Sequence, residues 1–431
     1  MKSGSGFYGW KLVGVLFALD FLNMGVPLFG GAVINTYMLK QIPMSRSTYG
    51  LGFTLINLFI GLPATLVVAV ILKWGTRAAF VIGSVFLSAG ALFLAFFASK
   101  PWHYLVVFGV IIATGICFST IIPVTTLVAR WFKQFRGRAM AIPLSASGFA
   151  GFLCAPLFNR ILAADAGNWR HAWLLVAAIP VFSGIIALSL VKERPADCGQ
   201  AVDGAPEEAI ALTSSAMDRR ITKYSWTPRE AYRTSAYWLV LLGGIACQFP
   251  YFFFIAHWIL HLRAAHFQAN TAAWAMGLFT LGAIAGRLVG GWLMDKIAAR
   301  FAFASGLLCY FVGSLLAIEA RPAALALAIA AGMLYGIAFG WTFVCLNTVT
   351  AHFFGPAAFP KLNGMMLLLT AIFCSPAGWI GGVIFDRFGN YTQAFELNML
   401  LVAAGILALS SAKPPQPPPR NSAAELAIAV S

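Results

Sequence analysis

Charge is scarce in this chain. Asp, Glu, Lys and Arg together make up 10% of 431 residues, against about a quarter in soluble globular domains, which excludes a soluble globule. Acid is scarcer still: 14 carboxylates face 29 Lys and Arg, for a net charge of +15. That excess does not indicate nucleic acid, because the basic residues are scattered over short loops between apolar runs rather than gathered on one face. Cysteine is also sparse, at 117, 154, 198, 247, 309, 345 and 374, with no CxxC pair, so neither a disulfide framework nor a zinc site is indicated. There is no HExxH, no phosphate loop and no nucleophile–base constellation, which excludes the common enzyme classes and leaves no cofactor to expect. What is present in abundance is apolar surface, with 60% hydrophobic residues and a mean hydropathy of +0.82. This is the composition of an integral membrane protein.

Apolar runs bounded by charges and turn residues give twelve spans, near 10–34, 48–72, 77–98, 103–129, 138–163, 170–191, 236–261, 271–295, 299–319, 323–353, 362–385 and 392–411. The fold class expected is therefore all-α integral membrane. Lys2 and Lys11 precede the first run as in a signal peptide, yet the run exceeds about twenty residues and lacks a small-residue cleavage site, so it reads as a retained helix. Sorting Lys and Arg by alternate loops puts about twenty on the side of the termini and only Lys40, Arg46, Lys100, Arg160, Arg170, Arg263, Arg321 and Arg387 on the other. That asymmetry places both termini in the cytoplasm and the chain in the plasma (inner) membrane.

The stretch from Lys192 to Arg233 interrupts the apolar pattern and divides six spans from six. Four segments follow: a half at 1–191, a cytoplasmic linker at 192–235, a half at 236–412, and a Pro-rich disordered tail at 413–431. The halves echo one another. Arg130-Trp-Phe, Ala155-Pro156 and Asn168-Trp-Arg-His-Ala-Trp in the first correspond to His352-Phe-Phe, Ser375-Pro376 and Asn390-Tyr-Thr-Gln-Ala-Phe in the second. Such a repeat suits two similar bodies rocking about a central site, and a channel or receptor has no need of it.

One arginine stands inside an otherwise apolar span. Arg287, in AAWAMGLFTLGAIAGRLVGGWLMDK, lies about 12 Å from the Asp295–Lys296 end and about 22 Å from the other. A guanidinium at that depth must face a polar partner, water or a ligand. It reads either as an anion-binding residue or as a structural arginine bonded to carbonyls of a neighbouring helix. Asp20, about 15 Å into the first span, is the one acid well inside a span. It is either a titrating group coupled to Arg287 or a partner for local hydroxyls. His257, on the far half of span seven after Pro250, could carry a proton or donate to a substrate oxygen, and could equally be a satisfied core histidine. Asn57, Thr120, Gln248, Asn347 and Thr370 are polar residues within spans. Some should line a cavity and others bond between helices. Phe118, Phe252, Phe253, Phe254, Trp258, Phe339 and Trp341 could wall an apolar tail. At the cytoplasmic ends, Asp295, Lys296, Arg130 and Arg138 could form charge pairs that lock an inner gate.

Twelve spans in a six-plus-six repeat, GGWLMDK after the start of span eight and ARWFKQFRGRAMAI between spans four and five resemble the major facilitator superfamily. FYGW at the first span, TPREAYRTSAYWL entering span seven and SPAGWIGGVIFDRFGNYTQAF near the end are similar to its monocarboxylate transporter branch, including bacterial members and oxalate–formate antiporters. The resemblance implies that Arg287 holds a substrate carboxylate and that His257 matches a histidine of a bacterial relative. The chain departs from the pattern at three places. Leu28 follows Pro27 where animal members carry lysine, Ala283 stands where they carry aspartate, and Thr370 stands where the oxalate antiporters carry a second cation. One buried cation without that second partner favours a monoanion over a dianion.

The reading these residues support is a monomeric secondary carrier of a small lactate- or pyruvate-like monocarboxylate. Its partners are the bilayer and a coupling proton. Arg287, His257, Thr120, Asn347 and Trp341 are expected at the substrate, and Asp20 or His257 at the proton. Anion exchange, or export of a larger organic acid or drug, is the alternative within transport. A non-transporting sensor would have the same fold, but no signalling domain is appended in this sequence.

Overall fold

In the computed structural model the described residues are 7–132, 135–204, 224 and 226–416. Among them twelve helices are long and apolar enough to cross a membrane. They are α1 (Tyr8–Gln41), α2 (Arg46–Trp74), α3 (Thr76–Phe97), α4 (Pro101–Trp131), α5 (Ala139–Ala164) and α6 (Trp169–Leu190), then α7 (Ser235–Ala264), α8 (Ala269–Met294), α9 (Ala299–Ile318), α10 (Pro322–Gly355), α11 (Lys361–Phe388) and α12 (Thr392–Ser411). The protein is a multi-pass, all-helical membrane protein; eleven helices fall within three residues of the span expected from sequence, and α1 runs seven residues past its expected end, to Gln41. Twelve passes return the chain to the side on which it began. That side is called proximal below, and the opposite side distal.

Local chemistry explains the helix ends. Ser45 accepts the amide of Thr48 and starts α2, and Asn168 accepts the amide of Arg170 and starts α6. Its repeat counterpart Asn390 accepts the amide of Thr392 at 3.0 Å one residue ahead of the α12 cap, so the duplicated asparagine makes the same bond to the amide two residues on in both halves. Between α6 and α7, Thr227 and Glu230 bond each other's backbone amides and open a short helix, Pro228–Tyr232. Residues 205–223 of the expected linker and 417–431 of the expected tail lie outside the described residues.

Three helices are irregular where polar residues sit. α1 widens to π geometry from Phe21 to Gly30, beginning one residue after Asp20 and running through Pro27. Pro27 lacks an amide hydrogen, which favours such a departure, and π segments recur at functional sites. α4 widens likewise at Val107–Ile112 and then breaks at Thr120 (φ −130°, ψ −111°). α11 is interrupted at Ser375-Pro376.

The first six helices meet the last six along two seams, α5 with α8 and α2 with α11. Both are built on missing side chains. A Cβ on Gly151 of α5 would collide with Thr280 of α8, and one on Gly50 of α2 would collide with the Gly378 carbonyl of α11. Small residues permit this approach, so dispersion and backbone polarity hold helices that no hydrophobic force drives together in lipid.

Candidate functional site

At the α5–α8 seam the Arg287 guanidinium donates through Nη1 to the Leu144 carbonyl of α5 at 3.1 Å. Leu144 lies one residue beyond Pro143 within α5. Among the described residues no carboxylate lies within salt-bridge distance of Arg287. Asp20 of α1 is 1% exposed. Its Oδ1 has no hydrogen-bond partner, and the groups acting on the carboxylate are the Arg287 guanidinium and the Ser147 backbone. α1 reaches this level because Gly25 nests on Ala150 of α5. The structure thus brings Asp20 and Arg287 into electrostatic reach without joining them, a relation the sequence alone left open.

Tyr251 of α7 lies within electrostatic range of Arg287. Its ring stacks on Phe339 of α10 at 3.6 Å between centroids and 12° between planes, with Phe279 of α8 at 6.0 Å. A half-buried cation, a carboxylate outside salt-bridge distance and an aromatic wall, drawn from four helices, therefore gather in the last third of α8. Tyr251 was not singled out by sequence, because in FPYFFFIAHWILHL it is one ring among many.

His257 stands six residues further along α7, about 9 Å toward the distal side. Both ring nitrogens are engaged. Nε2 lies 2.6 Å from the Gly378 carbonyl and Nδ1 3.1 Å from the Tyr391 hydroxyl. A carbonyl only accepts, so Nε2 carries the hydrogen, and neutral Nδ1 accepts from Tyr391. The imidazole bridges α7, α11 and the start of α12 beside the Gly50 contact. Any contact with a substrate would require one of these bonds to break.

A family profile described as Major Facilitator Superfamily matches residues 13–355 and 259–430. The chain belongs to the Major Facilitator Superfamily. It is similar to monocarboxylate transporter 13 of Bos taurus, 25% identical over 405 residues covering 93% of this chain and 89% of that protein. It is also similar to monocarboxylate transporter 11 of Homo sapiens, 26% identical over 343 residues, 77% of this chain and 68% of that one. Both relatives are monocarboxylate transporters by name. Among solved structures, a bacterial homolog of the human lysosomal transporter Spinster superposes with a TM-score of 0.67 at 16% identity, covering 95% of this chain and 96% of that one. The nucleoside transporter NupG (D323A mutant) gives 0.68 at 14% identity, covering 94% and 99%. At such identities they show the fold alone. The matched proteins are transporters, not enzymes.

Within this major facilitator fold the other candidate residues are placed as follows. Thr120 is 1% exposed and its hydroxyl donates to the Ile116 carbonyl at 2.7 Å, at the break in α4. Asn347 on α10 donates to the Phe343 carbonyl at 2.9 Å, one turn beyond Phe339, and is half-buried. Trp341 covers Gly290 of α8 and Gly306 of α9, so its indole wedges these helices against α10. Asn57 and Thr370 likewise bond carbonyls four residues earlier in their own helices.

Two of the four residues expected at a proximal gate have described side chains. Arg130 pairs with Glu193 just after α6 at 2.6 Å. Glu193 also accepts from the Thr76 hydroxyl and the Arg77 amide, so it ties α3, α4 and α6 together on the proximal side. Lys296 lies over the Trp292 ring at 4.3 Å. The side chains of Arg138 and Asp295 lie outside the described residues. A latch that sequence did not single out joins the two groups of six at the distal face. Asp386 of α11 accepts the backbone amides of Arg46 at 2.9 Å and Ser47 at 2.8 Å, capping the first turn of α2 from another helix. The acid was visible in VIFDRFG, but nothing in the pattern shows that its partner lies 340 residues away.

Proposed function

We propose that this transporter carries a small monocarboxylate of the lactate or pyruvate type together with a proton, by alternating access. The observation that carries the reading is the Arg287–Asp20 arrangement: a guanidinium that donates to a neutral carbonyl and, among the described residues, has no carboxylate within salt-bridge distance, with the Asp20 carboxylate within its field. A cargo carboxylate can replace Leu144 and engage the guanidinium through two parallel bonds. The unloaded site then holds Arg⁺ and Asp⁻, and the loaded site holds Arg⁺, the cargo anion and a protonated Asp20. Both are neutral, whereas cargo without a proton leaves one uncompensated negative charge in a poorly polarisable interior. Coupling follows from that difference. Tyr251, Phe339 and Phe279 offer the apolar face against which a short carbon tail lies.

In this reading Asp20 holds the proton, while His257, with both nitrogens occupied, holds the helices it bridges. The moving boundary runs between the halves 1–191 and 236–412, with the distal face outside the cell, both termini in the cytoplasm, and one chain as the working unit. The relatives named monocarboxylate transporters support the cargo class.

The test is uptake of labelled pyruvate and lactate into proteoliposomes, with and without an inward proton gradient. Gradient-driven uptake by the wild type should fall at least about 30-fold in Arg287→Ala, the cost of removing a charged partner from a desolvated pair. In Asp20→Asn the gradient should cease to stimulate, while exchange against internal anion persists. Uptake that survives the loss of Arg287 sinks the proposal, and uptake indifferent to the gradient in the wild type points to anion exchange.

A further inference from the structure

A second cationic site lies at the distal face. A cavity of about 270 Å³ opens among α1, α2, α5, α7 and α8, and its lining includes Lys40, Arg46 and Arg263 but no carboxylate. The three cations come from three helix termini: Lys40 from the end of α1, Arg46 from the start of α2, Arg263 from the end of α7. Among the described residues none of them has a carboxylate within salt-bridge distance. Arg46 Nη1 is shielded from solvent with no hydrogen-bond partner. The acid beside it, Asp386, is committed to the backbone amides of Arg46 and Ser47. Lys40 lies over the Tyr37 ring at 4.9 Å, and Tyr37 donates to Asn159 at 3.2 Å, which fixes one polar wall. Leu260 and Ala273 supply an apolar one.

Three like charges converging on a concave, partly desolvated space repel one another unless an anion enters, and the same field raises the local concentration of anions. The cavity is separate from the Arg287 site. Ala273 in its lining and Arg287 are fourteen residues apart on α8, about 21 Å along the axis, too far for one small molecule to span. We propose that this cavity is a second, weaker carboxylate-binding site, on which an organic anion is captured at the distal face before or after it occupies the buried site. The capture role rests on the reading that the cargo is an organic anion; the binding itself does not.

The experiment is equilibrium binding of labelled pyruvate to the purified full chain in a zwitterionic detergent free of anionic lipid. Wild type should show two classes of site. Arg287→Ala should lose the tighter and keep the weaker. Lys40→Gln/Arg263→Gln should keep the tighter and bind the weaker about ten-fold less well, and the charge-retaining Lys40→Arg/Arg263→Lys should restore it. Raising salt from about 0.01 M to about 0.15 M shortens the screening length from about 30 to about 8 Å, and should weaken the exposed class selectively in the wild type. A single class in the wild type, or a weaker class indifferent to both the charge substitutions and salt, overturns the proposal. If no flux of pyruvate occurs but the salt-sensitive, Lys40- and Arg263-dependent class persists, the distal site stands and the transport reading falls. If an anionic phospholipid headgroup binds the wild type in a Lys40- and Arg263-dependent manner and excess pyruvate does not displace it, the site belongs to lipid and the proposal is overturned as a cargo site.

Discussion

Replacing Asp386 by asparagine should loosen the distal face. In the structure one carboxylate accepts the first amides of α2 at 2.9 and 2.8 Å, and so ties α11 to α2 where Gly50 and Gly378 meet. A cap of this kind contributes about 0.5–2 kcal/mol, and its charge on a helix N-terminus a further 0.3–1 kcal/mol or so when solvent-exposed, as here. Asparagine keeps one acceptor oxygen and loses the charge and the second acceptor, so about 1.4 kcal/mol should be lost, a factor of about ten in the opening equilibrium. A distal-closed state populated at about 90% would then fall to about half. The assay is pulsed electron–electron resonance between spin labels at Ser99→Cys and Glu319→Cys, in distal loops on opposite sides of the seam, with the seven native cysteines replaced by alanine. The distance distribution should shift toward the longer population, and further in Asp386→Ala. Identical distributions in wild type, Asp386→Asn and Asp386→Ala would refute the view of Asp386 as a latch.

Two further expectations concern the seams. His257→Ala removes the partner of the Gly378 carbonyl and the Tyr391 hydroxyl in a fully buried setting, so it should lower stability by about 2–4 kcal/mol, read as a drop in thermal midpoint in detergent; a midpoint unchanged beside a raised KM would show instead that the ring serves the cargo. Gly151→Leu places a side chain where Thr280 stands, so uptake should be lost while Gly151→Ala retains part of it, and full uptake by the leucine variant would mean the α5–α8 approach is dispensable.

The twelve helices were legible because bilayer thickness sets a length that apolar runs either meet or miss. Arg287 was legible for the same reason: a guanidinium within such a run must find a polar partner, and the Leu144 carbonyl of a neighbouring helix is the one the structure supplies. Its relation to Asp20 was not, because the rotation of α1 depends on the π segment that begins at Phe21, and an irregular helix has no fixed angle per residue. In the sequence Thr120, Asn57 and Thr370 could line a cavity or bond between helices, yet each hydroxyl or amide bonds back to its own helix, an option that period alone does not reveal. Asp386 and Glu193 escaped notice because their partners are backbone amides and side chains far along the chain, and no local spacing encodes a cap supplied from another helix.

The bond from Arg287 to the Leu144 carbonyl also bears on turnover. A neutral acceptor is a shallow resting place for a guanidinium, deep enough to keep it from drifting but much weaker than a carboxylate. In the proposed reading an arriving acid displaces it readily, and when the acid departs the arginine has somewhere to return without waiting for new cargo. The proposed reading therefore expects the vacant protein to complete its stroke alone, giving net delivery rather than strict one-for-one barter.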